Sequence, residues 1–220
     1  MARVKKLART LTMLGNGQVF DFDNPDMGLM TPEILAKGLH RINRWNGHAI
    51  IGCRSLHVHR LSPEDSIPMT DLHHSFLVYL LAKRMYPEDH DLHLQALLHD
   101  AGEVFYGDII GPVKKGIKKY IRPIENGVES LIARRYGCGF PWDARIKIAD
   151  LASQDIEGYI CFPKSVPGVN VRDDREISKA DEILFWKAYD MAQDVQKYIR
   201  LLDRHDSLGQ NKRKRKKNIV

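Results

Sequence analysis

The sequence predicts an all-α fold, and three observations lead to this class. Apolar residues recur at helical spacing in about six segments between residues 31 and 202, whereas alternation with a period of two is confined to residues 10–22. Proline and glycine separate the helical segments, as expected where helices end. The chain has 220 residues, 43% of them hydrophobic, which is enough for a sizeable core. We therefore expect one helical domain preceded by a small β appendage.

The N-terminal appendage is predicted to be a β-hairpin. Its turn sequence, Gly15-Asn16-Gly17, tolerates positive φ, and residues 10–14 and 18–22 flank it as short strands. The first helix is predicted to open at Thr31 and Pro32, a capping residue followed by a proline, and to reach about Trp45. Its apolar side is formed by Ile34, Leu35, Leu39 and Ile42.

The remaining helices follow from the same periodicity. They are predicted near residues 71–85, 92–98, 124–136, 144–160 and 178–202, with Ile183, Leu184, Trp186, Ala188, Met191 and Val195 on the buried side of the last one. Residues 47–70 are predicted to be irregular, and Gly107, Gly111 and Pro112 predict a loop. The domain boundaries that result are 1–30 for the β appendage, 31–208 for the helical domain and 209–220 for the tail.

The positive charge of the chain lies in its tail. The net charge is +6, and residues 212–217 alone carry six positive charges, so the rest is balanced. A neutral body argues against a dedicated duplex-binding domain. The tail is predicted to be disordered. It could make weak, non-specific contact with nucleic acid, direct a nuclear import receptor, or be a solvated charge run with no dedicated role.

Other classes of protein are not expected. No apolar run approaches the length of a membrane span, and no signal peptide follows the basic start. Three cysteines, Cys53, Cys138 and Cys161, are too few and too widely spaced for a disulfide framework or a cysteine zinc site. Reduced thiols, and hence a cytoplasmic location without a membrane partner, are the expectation.

A few histidines and acids lie beside apolar stretches of the sequence, and they are the candidate metal ligands. His99 and Asp100 follow the apolar run at residues 96–98, where burial is costly unless something compensates both groups. A divalent cation would do so, and mixed nitrogen and oxygen ligands suit Zn, Mn, Co or Fe. His74 and Asp150, each beside another apolar stretch, are further candidate ligands. Histidines bonded to backbone carbonyls are the alternative. His40, His90, His93 and His205 are predicted to be surface residues.

The order His74, His99-Asp100, Asp150 resembles the HD superfamily of metal-dependent phosphohydrolases, which are helical bundles. Residues 42–45 (Ile-Asn-Arg-Trp) and 98–104 (Leu-His-Asp-Ala-Gly-Glu-Val) are similar to the bacterial 5′-deoxynucleotidases of that superfamily, as are Gly107-Asp108 and residues 112–114 (Pro-Val-Lys). Residues 19–26 and 44–48 resemble small phage HD proteins, some of which are deoxyadenosine triphosphohydrolases. The resemblance spans about residues 18–157. It implies an HD-domain helical bundle.

Two departures from the family pattern leave questions open. The family usually has Ala-Glu-His-Ser before its first ligand, whereas this chain has Leu-His-His-Ser at residues 72–75, so His73 could compete with His74. Residues 55–68 form an insertion relative to the family, and His57 and His59 within it are expected to be surface residues rather than ligands.

The resemblance implies a role for each matched residue. A divalent ion (Zn, Co, Mn or Mg) would lie among four ligands: His74, His99, Asp100 and Asp150. Glu103, one helical turn after His99, would orient a water or hold a supporting bond, with a solvent-facing side chain as the alternative. Asp108 would act near the leaving oxygen or the sugar. Phosphate contacts are implied for Arg44, Lys114 and Lys115. Trp45 would pack against the sugar and exclude a 2′-hydroxyl, with plain core packing as the alternative.

The function expected from these residues is hydrolysis of 2′-deoxynucleotides at the 5′ oxygen. Cations near the pocket favour a triphosphate of the dATP type, giving the deoxynucleoside and triphosphate. A 5′-deoxynucleotidase acting on the monophosphate is the alternative, and a nucleotide-sensing HD protein is the alternative without catalysis. Relatives form homo-oligomers, and the helix at 178–202 offers a possible interface.

Overall fold

The computed structural model of the chain describes residues 11–51, 67–162 and 177–205. The basic tail, the N-terminal end and most of the 55–68 insertion, with His57 and His59, lie outside the described residues, as does Cys53. Helices dominate the described part, and a small antiparallel hairpin precedes them, as the sequence predicts. No helix among the described residues has the length and apolar character needed to cross a membrane.

The elements follow one another in a simple order. The hairpin consists of β1 (Leu11–Met13) and β2 (Val19–Asp21), and two further short strands pair as β3 (Ile50–Ile51) and β4 (Ile67–Pro68). The helices are α1 (Pro32–Arg41), α2 (Asp71–Met85), α3 (His90–Leu98), α4 (Glu103–Tyr106), α5 (Gly111–Gly116), α6 (Lys118–Tyr136), α7 (Ala144–Cys161) and α8 (Lys179–Ala192), followed by α9 at residues 195–205.

The hairpin is held on the helical domain by one aromatic side chain. Thr12 pairs with Phe20 across the two strands, and Gly17 takes φ 83° in the turn. The Phe20 ring is fully buried and lies 4.3 Å from the ring of Phe105 on α4, centroid to centroid. The hairpin thus shares the core of the helices, because burial of an aromatic ring outweighs the small stability of two isolated strands.

Helix α2 is the centre of the domain. It packs against α1, α3, α7 and α8, and every residue from Asp71 to Ala82 is buried. A helix without a polar face belongs in the interior, so the polar side chains of its first turn are carried into the core. This burial places His74 in the core, with none of its surface exposed.

A short extended segment fixes the entrance to α2. Helix α1 ends at Arg41, four residues before the predicted end at Trp45. The backbone at Ile42 and Arg44 instead pairs with the segment before α2: the amide of Asp71 donates to the carbonyl of Ile42 (3.0 Å), and that of Arg44 donates to the carbonyl of Met69 (2.7 Å). This pairing competes with helix continuation and sets Arg44 beside the first turn of α2.

Three other predictions of local structure are wrong. Gly111 and Pro112 open helix α5 rather than a loop, with Pro112 in its first turn where a proline is tolerated. The predicted helix at 178–202 is two helices, broken at residues 193–194. In α8, Ile183 is 60% exposed while Phe185 is buried with Trp186. The prediction is therefore wrong for Ile183, whereas Trp186 and Ala188 are buried as predicted and Leu184, Met191 and Val195 pack against the core.

His93 is buried and not a surface residue. Its ring donates from Nε2 to the carbonyl of Tyr86 (2.7 Å) and packs edge-on against Tyr79. The hydrogen bond satisfies the ring nitrogen and makes burial inexpensive. His93 is thus a core histidine, whereas His40 and His90 are exposed as expected.

Candidate metal centre

Four side chains predicted as ligands converge in the core. Nε2 of His74 lies 3.2 Å from Nε2 of His99, 3.2 Å from Oδ2 of Asp100 and 3.4 Å from Oδ1 of Asp150. Nε2 of His99 lies 3.3 Å from the same oxygen of Asp100. The ligand atoms of His74, His99 and Asp150 all fall within 4.8 Å of one another, a grouping that could hold a metal ion. They come from α2, the turn after α3, and α7.

The two imidazoles are oriented for this grouping by bonds on their other nitrogens. Nδ1 of His99 donates to the carbonyl of Ala96 (2.9 Å), and Nδ1 of His74 donates to Oε1 of Glu157 (2.5 Å). Because a carbonyl or an ionised carboxylate only accepts, each Nδ1 carries a proton, and each Nε2 is the nitrogen that can offer a lone pair to a cation. Metal-ligating histidines are held in this way in many proteins. The donor set of two imidazoles and two carboxylates therefore fits a divalent cation.

Glu157 is a residue of the candidate site that the sequence prediction missed. It is fully buried on α7, and besides His74 it receives a hydrogen bond from Nε1 of Trp45 (3.1 Å). A signal for it exists in the sequence, since Glu157 stands seven residues after Asp150 and so lies on the same face of the helix. An acid two helical turns from a predicted ligand is a reason to look for a supporting partner.

The electrostatics of the centre are dominated by carboxylates. Burial and the charge of Arg44 lower the pKa of His74, but Glu157 and Asp100 outweigh both and raise that pKa to about 10. Burial raises the pKa of Asp100, whereas His99 and His74 lower it further than burial raises it, leaving it well below its usual range. The pocket thus favours positive charge between its ligands, whether carried by a proton or by a cation.

Arg44 is buried and faces three carboxylates. Its Nε lies 3.5 Å from Oε2 of Glu157, and its Nη1 lies 3.6 Å from Oδ2 of Asp100 and 3.8 Å from Oδ1 of Asp71. Its Nη2 also lies 3.2 Å from Nε2 of His74. Burial opposes its charge, but these carboxylates raise the pKa of Arg44 above its usual value. The guanidinium is therefore a permanent positive charge at the wall of the site.

Trp45 stands in a strained turn at the same wall. Trp45, Asn46 and Gly47 have φ of 55°, 54° and 79°, so three successive residues are left-handed, which costs energy for the two that carry a Cβ. The indole donates to Glu157 and its ring packs edge-on against Phe162, 5.5 Å between centroids. Trp45 is half-buried, so part of its ring is open to a ligand.

Glu103 and Asp108 belong to a second group of acids. With Asp71 they place one carboxylate oxygen each within 4.8 Å of one another. The prediction that Glu103 continues the helix of His99 is wrong, because α3 ends at Leu98 and Glu103 opens the separate helix α4. Glu103 is nevertheless buried and not solvent-facing. Burial, followed by the charges of Asp100, Asp71 and Asp108, raises the pKa of Glu103 well above its usual range.

Of the two lysines predicted to bind phosphate, one reaches the site. Nζ of Lys114 lies 2.8 Å from Oε1 of Glu125 and 3.7 Å from Oε1 of Glu103. Glu125, buried on α6, was not predicted and holds this lysine at the edge of the acid group. Lys115 is exposed on α5, and among the described residues it makes no ion pair with the carboxylates of the site.

His73 is committed to other contacts. Its Nδ1 accepts from the amide of Thr70 (3.0 Å), which caps α2, and its Nε2 is hydrogen-bonded to Nε2 of Gln193 (3.3 Å). Its ring stacks on Tyr189, and burial lowers the pKa of His73 to about 4. Both ring nitrogens are thus used by the fold, and His74 is the histidine whose Nε2 meets the other ligand atoms.

Comparison with known proteins gives one distant relative. The chain is 27% identical over 170 residues to an uncharacterized protein of Rhodobacter capsulatus, covering 77% of this chain and 80% of the relative. No family model matches the chain.

Proposed function

We propose that this protein is a divalent-metal-dependent phosphohydrolase of the HD type that acts on 2′-deoxynucleotides at the 5′ oxygen. The observation that carries the proposal is the convergence of Nε2 of His74, Nε2 of His99, Oδ2 of Asp100 and Oδ1 of Asp150 in a buried pocket. The order and type of these residues support it, because they match the pattern for which the sequence resembles HD phosphohydrolases.

The bound cation would supply charge withdrawal from phosphorus and a more acidic water nucleophile. Glu103, buried next to the ligands, is suited to orient that water or to take its proton. Asp108 lies beside it and would act near the leaving oxygen or sugar. Each of these side chains belongs to a segment fixed by the core.

The positive and aromatic side chains at the wall suit the rest of the substrate. Arg44 offers a planar pair of donors to phosphate oxygens, and Lys114 adds a point charge at the other side. The half-buried ring of Trp45 would pack against the sugar, where its bulk disfavours a 2′-hydroxyl. With two cationic side chains at the pocket, we favour a triphosphate of the dATP type over a monophosphate.

Product analysis tests this proposal. Metal-loaded protein is incubated with dAMP, dATP and ATP, and the released phosphates are separated and quantified. Triphosphate from dATP is the expected product, and inorganic phosphate from dAMP alone would instead make the protein a 5′-deoxynucleotidase. No turnover of any of these nucleotides would contradict the proposal and favour a nucleotide-sensing role.

Two histidine variants make the result specific. His99→Ala removes one ligand nitrogen and should abolish turnover. His90→Ala changes an exposed histidine of the neighbouring helix α3 and should leave turnover unchanged. Equal loss in both variants would point to damaged folding and not to the metal centre.

A further inference from the structure

We infer that the acid group of Asp71, Glu103 and Asp108 is a second cation site, distinct from the histidine-containing centre and suited to a hard divalent ion such as Mg²⁺ or Mn²⁺. This inference does not depend on the proposed hydrolysis, since it concerns binding of a cation to the free protein.

The position of Asp71 is the first reason. It is the first residue of α2, three residues before His74, and none of its surface is exposed. Neither Oδ1 nor Oδ2 of Asp71 has a hydrogen-bond partner among the described residues, and the nearest cationic nitrogen, Nη1 of Arg44, is 3.8 Å from Oδ1. A buried carboxylate without hydrogen bonds is costly, so its retention in the core needs a compensating partner.

The acids next to Asp71 add further carboxylate oxygens, and in the described part of the chain Glu103 also has one without a hydrogen bond. Glu103 is buried, and its Oε2 also lacks a hydrogen bond within the described residues. Asp108 is half-buried and contributes a third carboxylate, with one oxygen of each residue within 4.8 Å of the others. Three ionised carboxylates this close together repel one another, and a cation between them relieves the repulsion.

Two described cationic side chains next to the group supply that charge only in part. Arg44 is shared with Asp100 and Glu157, which lie closer to it than Asp71 does. Lys114 is bonded to Glu125 at 2.8 Å and stands 3.7 Å from Glu103. Each of these cations is therefore shared with carboxylates outside the group.

The chemistry of the donors defines the class of ion. All of them are carboxylate oxygens, which prefer hard cations such as Mg²⁺, Mn²⁺ or Ca²⁺, whereas the centre at His74 mixes nitrogen with oxygen and suits Zn²⁺ or Co²⁺. Because the protein supplies only these three carboxylates to the proposed site, coordination positions remain for water or phosphate oxygens, as is common for Mg²⁺.

Counting bound Mn²⁺ tests the inference. Free Mn²⁺ is followed by its electron paramagnetic resonance signal while the metal-free protein is titrated without nucleotide. We expect the native chain to bind two Mn²⁺ ions. Asp71→Asn should bind one Mn²⁺ with native affinity, and its affinity for the second ion should fall at least about tenfold. His99→Ala should keep the second site and lose the first. Asp91→Asn is the matched control, because Asp91 is an exposed acid in the first turn of α3.

A thermal melt gives a second readout that does not require activity. Asp71→Asn removes a buried charge, so in chelator it should melt no lower than the native protein, but addition of Mg²⁺ should raise its melting temperature less. The inference is overturned by Asp71→Asn binding as many Mn²⁺ ions as Asp91→Asn with the same affinity. If the proposed hydrolysis fails while Asp71→Asn loses one Mn²⁺, this site stands and only the activity is refuted.

Discussion

Replacing Glu157 by glutamine separates the support of the metal centre from its ligands. The carboxylate of Glu157 accepts hydrogen bonds from Nδ1 of His74 and Nε1 of Trp45, and it pairs with Nε of Arg44 at 3.5 Å. Three donors thus point at two oxygens. A glutamine amide offers a single accepting oxygen, and its NH2 group adds two donors. It therefore cannot accept from all three of these donors.

The magnitude follows from this count of donors. A buried donor left without its acceptor costs about 1–3 kcal/mol in stability. Loss of the carboxylate also frees the ring of His74 to rotate and makes its Nε2 less basic. Loss of such a supporting partner commonly weakens metal binding about 10–100-fold, or about 1.4–2.8 kcal/mol. We expect Glu157→Gln to fall in this range although it changes no ligand.

Competition of the protein with a chromophoric chelator for Zn²⁺ or Co²⁺ measures the effect. Asp155→Asn serves as the matched control, since Asp155 is an exposed carboxylate two residues earlier on α7. Glu157→Gln should bind the metal less tightly, and Asp155→Asn should match the native chain. An unchanged affinity in Glu157→Gln, with native helical content by circular dichroism, would refute the role given to this carboxylate.

Three further changes test other parts of the structure. Gly38→Ala should lower the melting temperature, because a Cβ there would stand 2.4 Å from Cγ1 of Val104. The overpacking costs about 1–3 kcal/mol, which exceeds the gain in helix propensity from alanine. An unchanged melting temperature would contradict the close packing of α1 on α4. Burial, with Asp100 and Glu125, raises the pKa of Glu129 to about 7, so the folded protein loses stability as the pH rises from 4.5 through 7. Glu129→Gln should therefore melt about 2–4 °C higher than the native chain at pH 8 and no higher at pH 4, and equal shifts at both would be the opposing result. Trp45→Ala should reduce the preference for dATP over ATP by about tenfold, measured as the ratio of kcat/KM, and an unchanged ratio would leave Trp45 without a role in sugar selection.

The sequence predicted the parts of the structure that depend on local pattern. Helix α2 has the predicted bounds, since Pro68 and Thr70 precede it, residues 76–82 form its apolar run and Pro87 follows it. Helix α1 ends early because backbone pairing of Ile42 and Arg44 with a distant segment replaces helical bonds. Such pairing depends on tertiary contacts, which periodicity does not contain.

The residues of the candidate site also divide into those that the local sequence pattern predicts and those that only tertiary contacts reveal. His74, His99, Asp100 and Asp150 were found because each precedes or follows an apolar stretch, and the structure brings them together. Glu157, Asp71 and Glu125 were missed because an acid on a mixed helix is normally solvent-exposed. Their spacing from a ligand is the usable signal: Asp71 stands three residues before His74, and Glu157 seven after Asp150.

The ligands of the candidate metal centre come from segments that are far apart along the chain, between residues 74 and 150. An unfolded chain cannot present them together, so a cation that binds here binds the folded state and acts as a cross-link between α2, the end of α3 and α7. At a free concentration a hundred times its Kd, it would add about 2.7 kcal/mol to the free energy of unfolding. The lifetime of the protein, including its resistance to proteases, would then follow the metal supply of the cell in which it is made.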